Sequence, residues 1–98
     1  MSDPTAEQIR DFAIRLDPSF AEAVGRWEIA VGEDSYGKPG LFITIVLRDA
    51  TIRTAWKARD AFRWRLFDAL LAEVPGYYPF IGFSAESIAI NPESPVPA

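Results

Sequence analysis

The sequence predicts an α+β protein. The expected architecture is a two-layer α/β sandwich of order α-(α)-β-β-α-β, with a three-stranded mixed sheet carrying its helices on one face. Three observations lead there. Between Trp27 and Asp49, two alternating apolar segments flank a loop containing Gly37 and Pro39, which reads as a β-hairpin. From about Thr51 to Glu73, apolar residues recur at helical spacing and stop at Pro75-Gly76. A third alternation, Pro79–Glu86, follows that helix. A strand reached through a helical crossover lies parallel to its neighbour, and the crossover is right-handed.

Each element has a local cause. Pro4 suits a first helical turn, and Thr5-x-x-Gln8 matches a capping box, so a helix opens here. Ile9, Phe12, Ala13 and Leu16 form its apolar stripe. Pro18 drives Asp17 out of the helical region and ends it. Asp17-Pro18 then caps a short second helix through Phe20 to Val24, closed by Gly25. The first strand is expected at Arg26–Glu33, with Trp27, Ile29 and Val31 on one face. The loop from Asp34 to Pro39 is too long for a two-residue turn, and Gly37 supplies a positive φ. The second strand, Gly40–Arg48, is apolar on both faces, as central strands are. Asp49 or Thr51 caps the long helix, whose inward face is expected to hold Ile52, Trp56, Leu66, Phe67 and Leu70. In the third strand Ile81 and Phe83 join the core with Trp27, Ile29, Val31, Leu41, Ile43, Ile45 and Leu47. Ser87–Ile90 is read as an extension of that strand.

The 98 residues are read as a single domain over 1–90, followed by a disordered tail over 91–98 with three prolines in eight residues. With no cysteine, disulfides, thiolate zinc sites and cysteine nucleophiles are excluded, and with no histidine the commonest metal ligand and general base are missing. No phosphate loop and no paired catalytic carboxylates are present. The expectation is therefore a protein without enzymatic activity and without a cofactor or metal. A net charge of −4 disfavours nucleic acid and membrane surfaces as partners. Met1–Gln8 lacks the pattern of a signal peptide, and no apolar run reaches the ~18 residues of a membrane span, so a cytoplasmic location is expected.

Four surface features remain. The sheet face away from the helices presents Ala30, Phe42, Thr44, Val46, Phe80 and Gly82, rimmed by Arg26, Glu28, Arg48 and Glu86. An apolar centre with a charged rim is the anatomy of a protein contact surface, so Phe42, Val46 and Phe80 are interface candidates. On the long helix, Trp64 and Leu71 share a sector with Arg53 and Lys57. They are exposed interface candidates unless the first helix covers them. Arg59 and Arg63 fall within the inward sector, where a guanidinium needs a partner. Either both snorkel to the edge, or one pairs with a carboxylate such as Glu28, Asp49 or Glu73; the sharper reading is a bound anion between helix and sheet, which makes Arg59 and Arg63 the candidate anion site; Arg65 points to solvent in this register. Glu33-Asp34-Ser35 at the hairpin tip lacks a third metal ligand and reads as a solvated acidic loop.

Asp34, Gly37, Pro39, Phe42–Thr44, Val46, Leu47 and Asp49 form a D-x-x-G-x-P hairpin that resembles short uncharacterised bacterial proteins of α-β-β-α-β order. That resemblance implies one half of a two-component bacterial system, with no catalytic residue carried over. The element order also resembles type II KH domains, which bind single-stranded RNA through a GxxG loop. Here the segment reads Ala50-Thr51-Ile52-Arg53-Thr54-Ala55, without glycine. The reading that results is a small protein-interaction module, self-associating as a homodimer or binding another protein. The alternative is a KH-like RNA-binding domain using the basic part of the long helix, where six of the ten basic residues lie between Arg48 and Arg65.

Overall fold

The computed structural model describes residues 3–48 and 52–86. The chain runs α1 (Ala6–Leu16), α2 (Pro18–Ala21), β1 (Val24–Glu33), β2 (Pro39–Leu47), α3 (Ile52–Glu73) and β3 (Tyr78–Ala85). The α+β class and the element order are those the sequence predicts. The expected caps Asp49 and Thr51, the side chains of Ile52 and Arg53, the extension Ser87–Ile90 and the tail lie outside the described residues.

Local chemistry sets the boundaries. Thr5 caps α1: its hydroxyl accepts from the Gln8 N–H at 3.1 Å, and the Gln8 side chain accepts from the Thr5 N–H at 2.9 Å. Asp17 closes α1 and caps α2, accepting from the Phe20 N–H at 3.1 Å. The expectation that α2 runs to Val24 with Gly25 as its stop is corrected. α2 ends at Ala21, and Val24 already belongs to β1. Val24 pairs with Leu47 and is buried, and the Arg48 N–H donates to the Ala23 carbonyl at 2.9 Å, so tertiary pairing claims these residues for the sheet. Gly25 sits at the bulge between Val24 and Arg26.

The hairpin loop is organised by Asp34. Its carboxylate accepts from the N–H groups of Tyr36 (2.8 Å) and Lys38 (2.9 Å), and Gly37 takes a φ of 77°. This acidic residue is thus a turn-former. Gly76, with a φ of 96°, turns the chain out of α3.

The sheet has order β1-β2-β3, with β1 antiparallel and β3 parallel to the central β2. Leu41, Ile43, Ile45 and Leu47 are fully buried on one face. Trp27, Ile29 and Val31 from β1 and Ile81 and Phe83 from β3 pack against them but stay half-buried, because an edge strand has a neighbour on one side only. Helices complete the core with Ile9 and Ala13 from α1, Phe20 from α2, and Ala55, Phe62, Leu66 and Leu70 from α3.

The inward face of α3 is therefore rotated from the expected one. Phe62, absent from the expected stripe, is buried and stacks on Phe20, with ring centroids 4.3 Å apart at 12°. Trp56 and Phe67 move to the flank and are half-buried. A helical wheel gives relative angles but not the rotation at which the helix docks. Here a partner ring on α2 sets that rotation.

Candidate functional site

Three elements, α3, β3 and β2, place five aromatic side chains in one continuous run. Trp64 on α3 meets the Phe67 ring edge-on at 5.7 Å, and Phe67 meets Tyr78 edge-on at 5.4 Å. Tyr78 lies 4.8 Å from Phe80, and Phe80 stacks on Phe42 at 5.1 Å with an interplanar angle of 4°. The run begins on the outer flank of α3, crosses the β3 edge and ends on the sheet face away from the helices. Gly40 makes room for its far end: a Cβ there would meet both the Phe42 and Phe80 rings at 3.1 Å. Trp64 is 57 %, Tyr78 52 %, Leu71 42 % and Phe80 39 % exposed. A shallow groove of about 220 Å³ lies along this run, between Arg63, Trp64 and Phe67 on one side and Tyr78–Ile81 on the other.

Among the predicted contact residues, Phe42, Phe80 and Trp64 thus lie in this run, and Leu71, exposed and seven residues after Trp64 on α3, shares the Trp64 face of that helix. Val46 does not join them. It is 1 % exposed and buried within the chain, which corrects its place among the contact residues. At that end of the sheet the Glu86 carboxylate occupies the space a Cβ on Gly25 would need, and Arg48 packs beside it. The register puts Arg26 and Ser84 on either side of Val46, so the sheet face is closed there by its own polar side chains. Trp64 is left open because α1 packs over β1, the opposite edge strand from the β3 beneath α3.

Among the described residues, neither Arg59 nor Arg63 pairs with Glu28 or Glu73, and Asp49 lies outside them. Arg59 lies over the Trp56 ring at 4.4 Å and donates to the Trp56 carbonyl, and Arg63 reaches Asp60 at 3.4 Å and lies 5.4 Å from the Trp64 ring. Glu28 is taken by Arg26 at 2.8 Å. The guanidiniums turn to different aromatic rings, so they do not converge as an anion site. Instead Arg65, expected to point to solvent, binds Asp17 at 2.8 Å and the Leu16 carbonyl at 3.4 Å, tying α3 to the α1–α2 junction.

Sequence reasoning missed Tyr78 and placed Phe67 in the core. The run Tyr77-Tyr78-Pro79-Phe80 was the available signal: three aromatic residues in four, entering a strand with no charged residue. Elsewhere, Tyr77 donates to the Asp3 carboxylate, and this bond, with some burial and the Asp3 charge, holds the Tyr77 hydroxyl above its ordinary value of 10.0. Among the described residues no cluster of three or more potential metal ligands occurs, and no helix is long and apolar enough to cross a membrane. Comparison of the chain with models of known protein families, with curated proteins and with solved structures finds no match.

Proposed function

We propose that this protein is a non-enzymatic protein-interaction module and that its contact surface is the aromatic run from Trp64 to Phe42. The observation that carries this reading is the exposure of four large apolar side chains, Trp64, Leu71, Tyr78 and Phe80, along one flank. Together they leave on the order of 400 Å² in water, taking ~150–250 Å² for a whole aromatic side chain. That is a patch of the size that marks functional surfaces on small proteins. Trp and Tyr beside Arg63 have the composition of interaction hot spots. A role as one half of a two-component bacterial system fits such a surface.

The test is association. Sedimentation of the purified chain, and co-purification from its host with the neighbouring genes intact, should reveal a protein partner or self-association. Trp64→Ala combined with Tyr78→Ala should weaken it at least tenfold while leaving the circular dichroism spectrum unchanged. Single-stranded RNA should not bind at physiological salt. Tight RNA binding that falls steeply with salt, as phosphate contacts require, together with no protein association, would replace this reading with the KH-like one.

A further inference from the structure

The two edges of the sheet differ in a way that bears on association. An edge strand offers unpaired backbone groups and is normally guarded by charge, bulges or irregularity. β1 is guarded: it carries the bulge at Gly25, the Arg26–Glu28 ion pair and Glu33 at its end. β3, Tyr-Pro-Phe-Ile-Gly-Phe-Ser-Ala, has no charged residue in its eight positions and no bulge in its register with β2. No fourth strand covers it among the described residues.

The hydrogen-bond phase of β3 follows from the hairpin. The Asp34 N–H donates to the Lys38 carbonyl at 2.8 Å, and the Arg48 N–H to the Ala23 carbonyl at 2.9 Å. Successive residues of a strand turn their backbone groups to opposite sides. Even-numbered residues of β2 therefore face β1, and odd-numbered ones face β3. Leu41 is in parallel register with Pro79, so its groups bond the residues flanking Pro79, namely Tyr78 and Phe80. Pro79, Ile81, Phe83 and Ala85 then face outward. Pro79, which has no N–H to give, sits where a proline is tolerated. The accessible part of the edge is its middle, with the N–H groups and carbonyls of Ile81 and Phe83 on either side of the exposed Gly82, whereas Pro79 and Ala85 are buried.

We infer that the occupant of this edge is a second copy of the same chain, joined β3 to β3 in antiparallel fashion about a two-fold axis at Gly82. This rests on the reading of the protein as an interaction module and names its partner. Placed at the middle of the strand, the axis pairs Ile81 with Phe83 of the partner subunit, and Phe83 with Ile81 of the partner subunit. The pairing makes about four backbone hydrogen bonds and asks nothing of Pro79. The two Gly82 residues face each other in the close, non-hydrogen-bonded position, where Cα atoms lie ~4.5 Å apart. The absence of side chains there lets each Phe80 ring lie over the opposite glycine. The exposed Trp64, Leu71, Tyr78 and Phe80 flank the seam. Their ~400 Å² is about half of the ~800 Å² that each partner contributes to a standard interface, and the strand edge supplies more. The product is a six-stranded sheet, from the three strands of each copy. Its outer edges are the two guarded β1 strands, so assembly stops at the dimer.

The glycines provide the test. A Cβ on Gly82 meets nothing within 4 Å, and the same is true of Gly32 on the guarded strand β1. Gly82→Lys therefore fits the single subunit but sets two like charges face to face across the axis. Sedimentation equilibrium of the full chain should give a dimer for wild type and for Gly32→Lys. Gly82→Lys should be a folded monomer, with dimer affinity reduced at least a hundredfold. Mixing Gly82→Lys with Gly82→Asp should restore a mixed dimer. The chain has no cysteine, so Gly82→Cys carries a lone thiol. Its oxidation should give a covalent dimer within minutes, whereas Gly32→Cys should give none. A wild type that stays monomeric at millimolar concentration overturns the self-pairing, as does a dimer indifferent to Gly82→Lys, or growth beyond the dimer. In the second of these cases, loss of the dimer in the Trp64→Ala, Tyr78→Ala variant would keep the interaction reading and remove only the edge. Absence of any association, with self or with another protein, removes both.

Discussion

Phe62 and Trp64 stand two residues apart on α3, and their contrast tests the docking of that helix. Phe62 is 2 % exposed and Trp64 57 %. Phe62→Ala removes a fully buried ring worth ~1.5–3 kcal/mol in transfer. It also removes a stacked contact with Phe20 worth ~0.5–1.5 kcal/mol. A cavity is left between α2 and α3, and the total expected cost is about 3–5 kcal/mol. Small domains have about 5–15 kcal/mol in all. With a urea slope of roughly 1.5 kcal/mol per molar, the midpoint falls by about 2–3 M. Trp64→Ala, despite removing a larger side chain, should cost under ~1 kcal/mol, because most of its surface is already in water and it touches mainly Phe67. Urea titrations followed by circular dichroism measure both without depending on tryptophan fluorescence. Phe62→Leu, expected to cost about 1–2 kcal/mol, provides a reading if the alanine variant does not fold. Equal midpoint shifts for Phe62→Ala and Trp64→Ala, or a larger shift for Trp64→Ala, would refute the rotation of α3 on which the aromatic run depends.

Four further outcomes follow from named contacts. Asp34→Ala removes the acceptor of two backbone N–H groups in the hairpin and should lower stability by about 1–2 kcal/mol in thermal melts, with Asp34→Asn retaining part of it. Tyr77 has a folded pKa above its ordinary 10.0, so its contribution to stability is fully present below pH 10 and is lost as the pH rises through the folded value. A stability profile between pH 8 and 12 should show this decline, and Tyr77→Phe should make it shallower. Arg59→Ala and Arg63→Ala should each cost only about 0.5–1.5 kcal/mol, the worth of a ring contact and a partly exposed pair rather than of a stranded buried charge. Arg65→Ala should cost less than ~1 kcal/mol, and a double-mutant cycle with Asp17→Asn should recover that coupling.

The elements and their order are legible in the sequence, because their causes are local. Thr5 and Gln8 cap α1 with groups three residues apart, Pro18 breaks it, Gly37 permits the hairpin turn, and Gly76 ends α3. The two apolar faces of β2 announced a central strand, and β2 does lie between β1 and β3. Tertiary structure decided the rest. Val24 and Gly25 look like the end of a helix until Leu47 and Arg48 arrive beside them to extend the ladder. Helical periodicity put Arg59 and Arg63 in the core sector, whereas the structure leaves both on the flank of α3. It could not say that Phe20, 42 positions away in the chain, would draw Phe62 inward and roll Trp56 and Phe67 to the flank. The aromatic run belongs to the same category. Trp64, Tyr78 and Phe42 are distant in sequence and meet only because α3 docks over β3 and β3 pairs in parallel with β2. A pattern within one element fixes which side chains share a face. What that face meets depends on long-range packing, which no local spacing encodes.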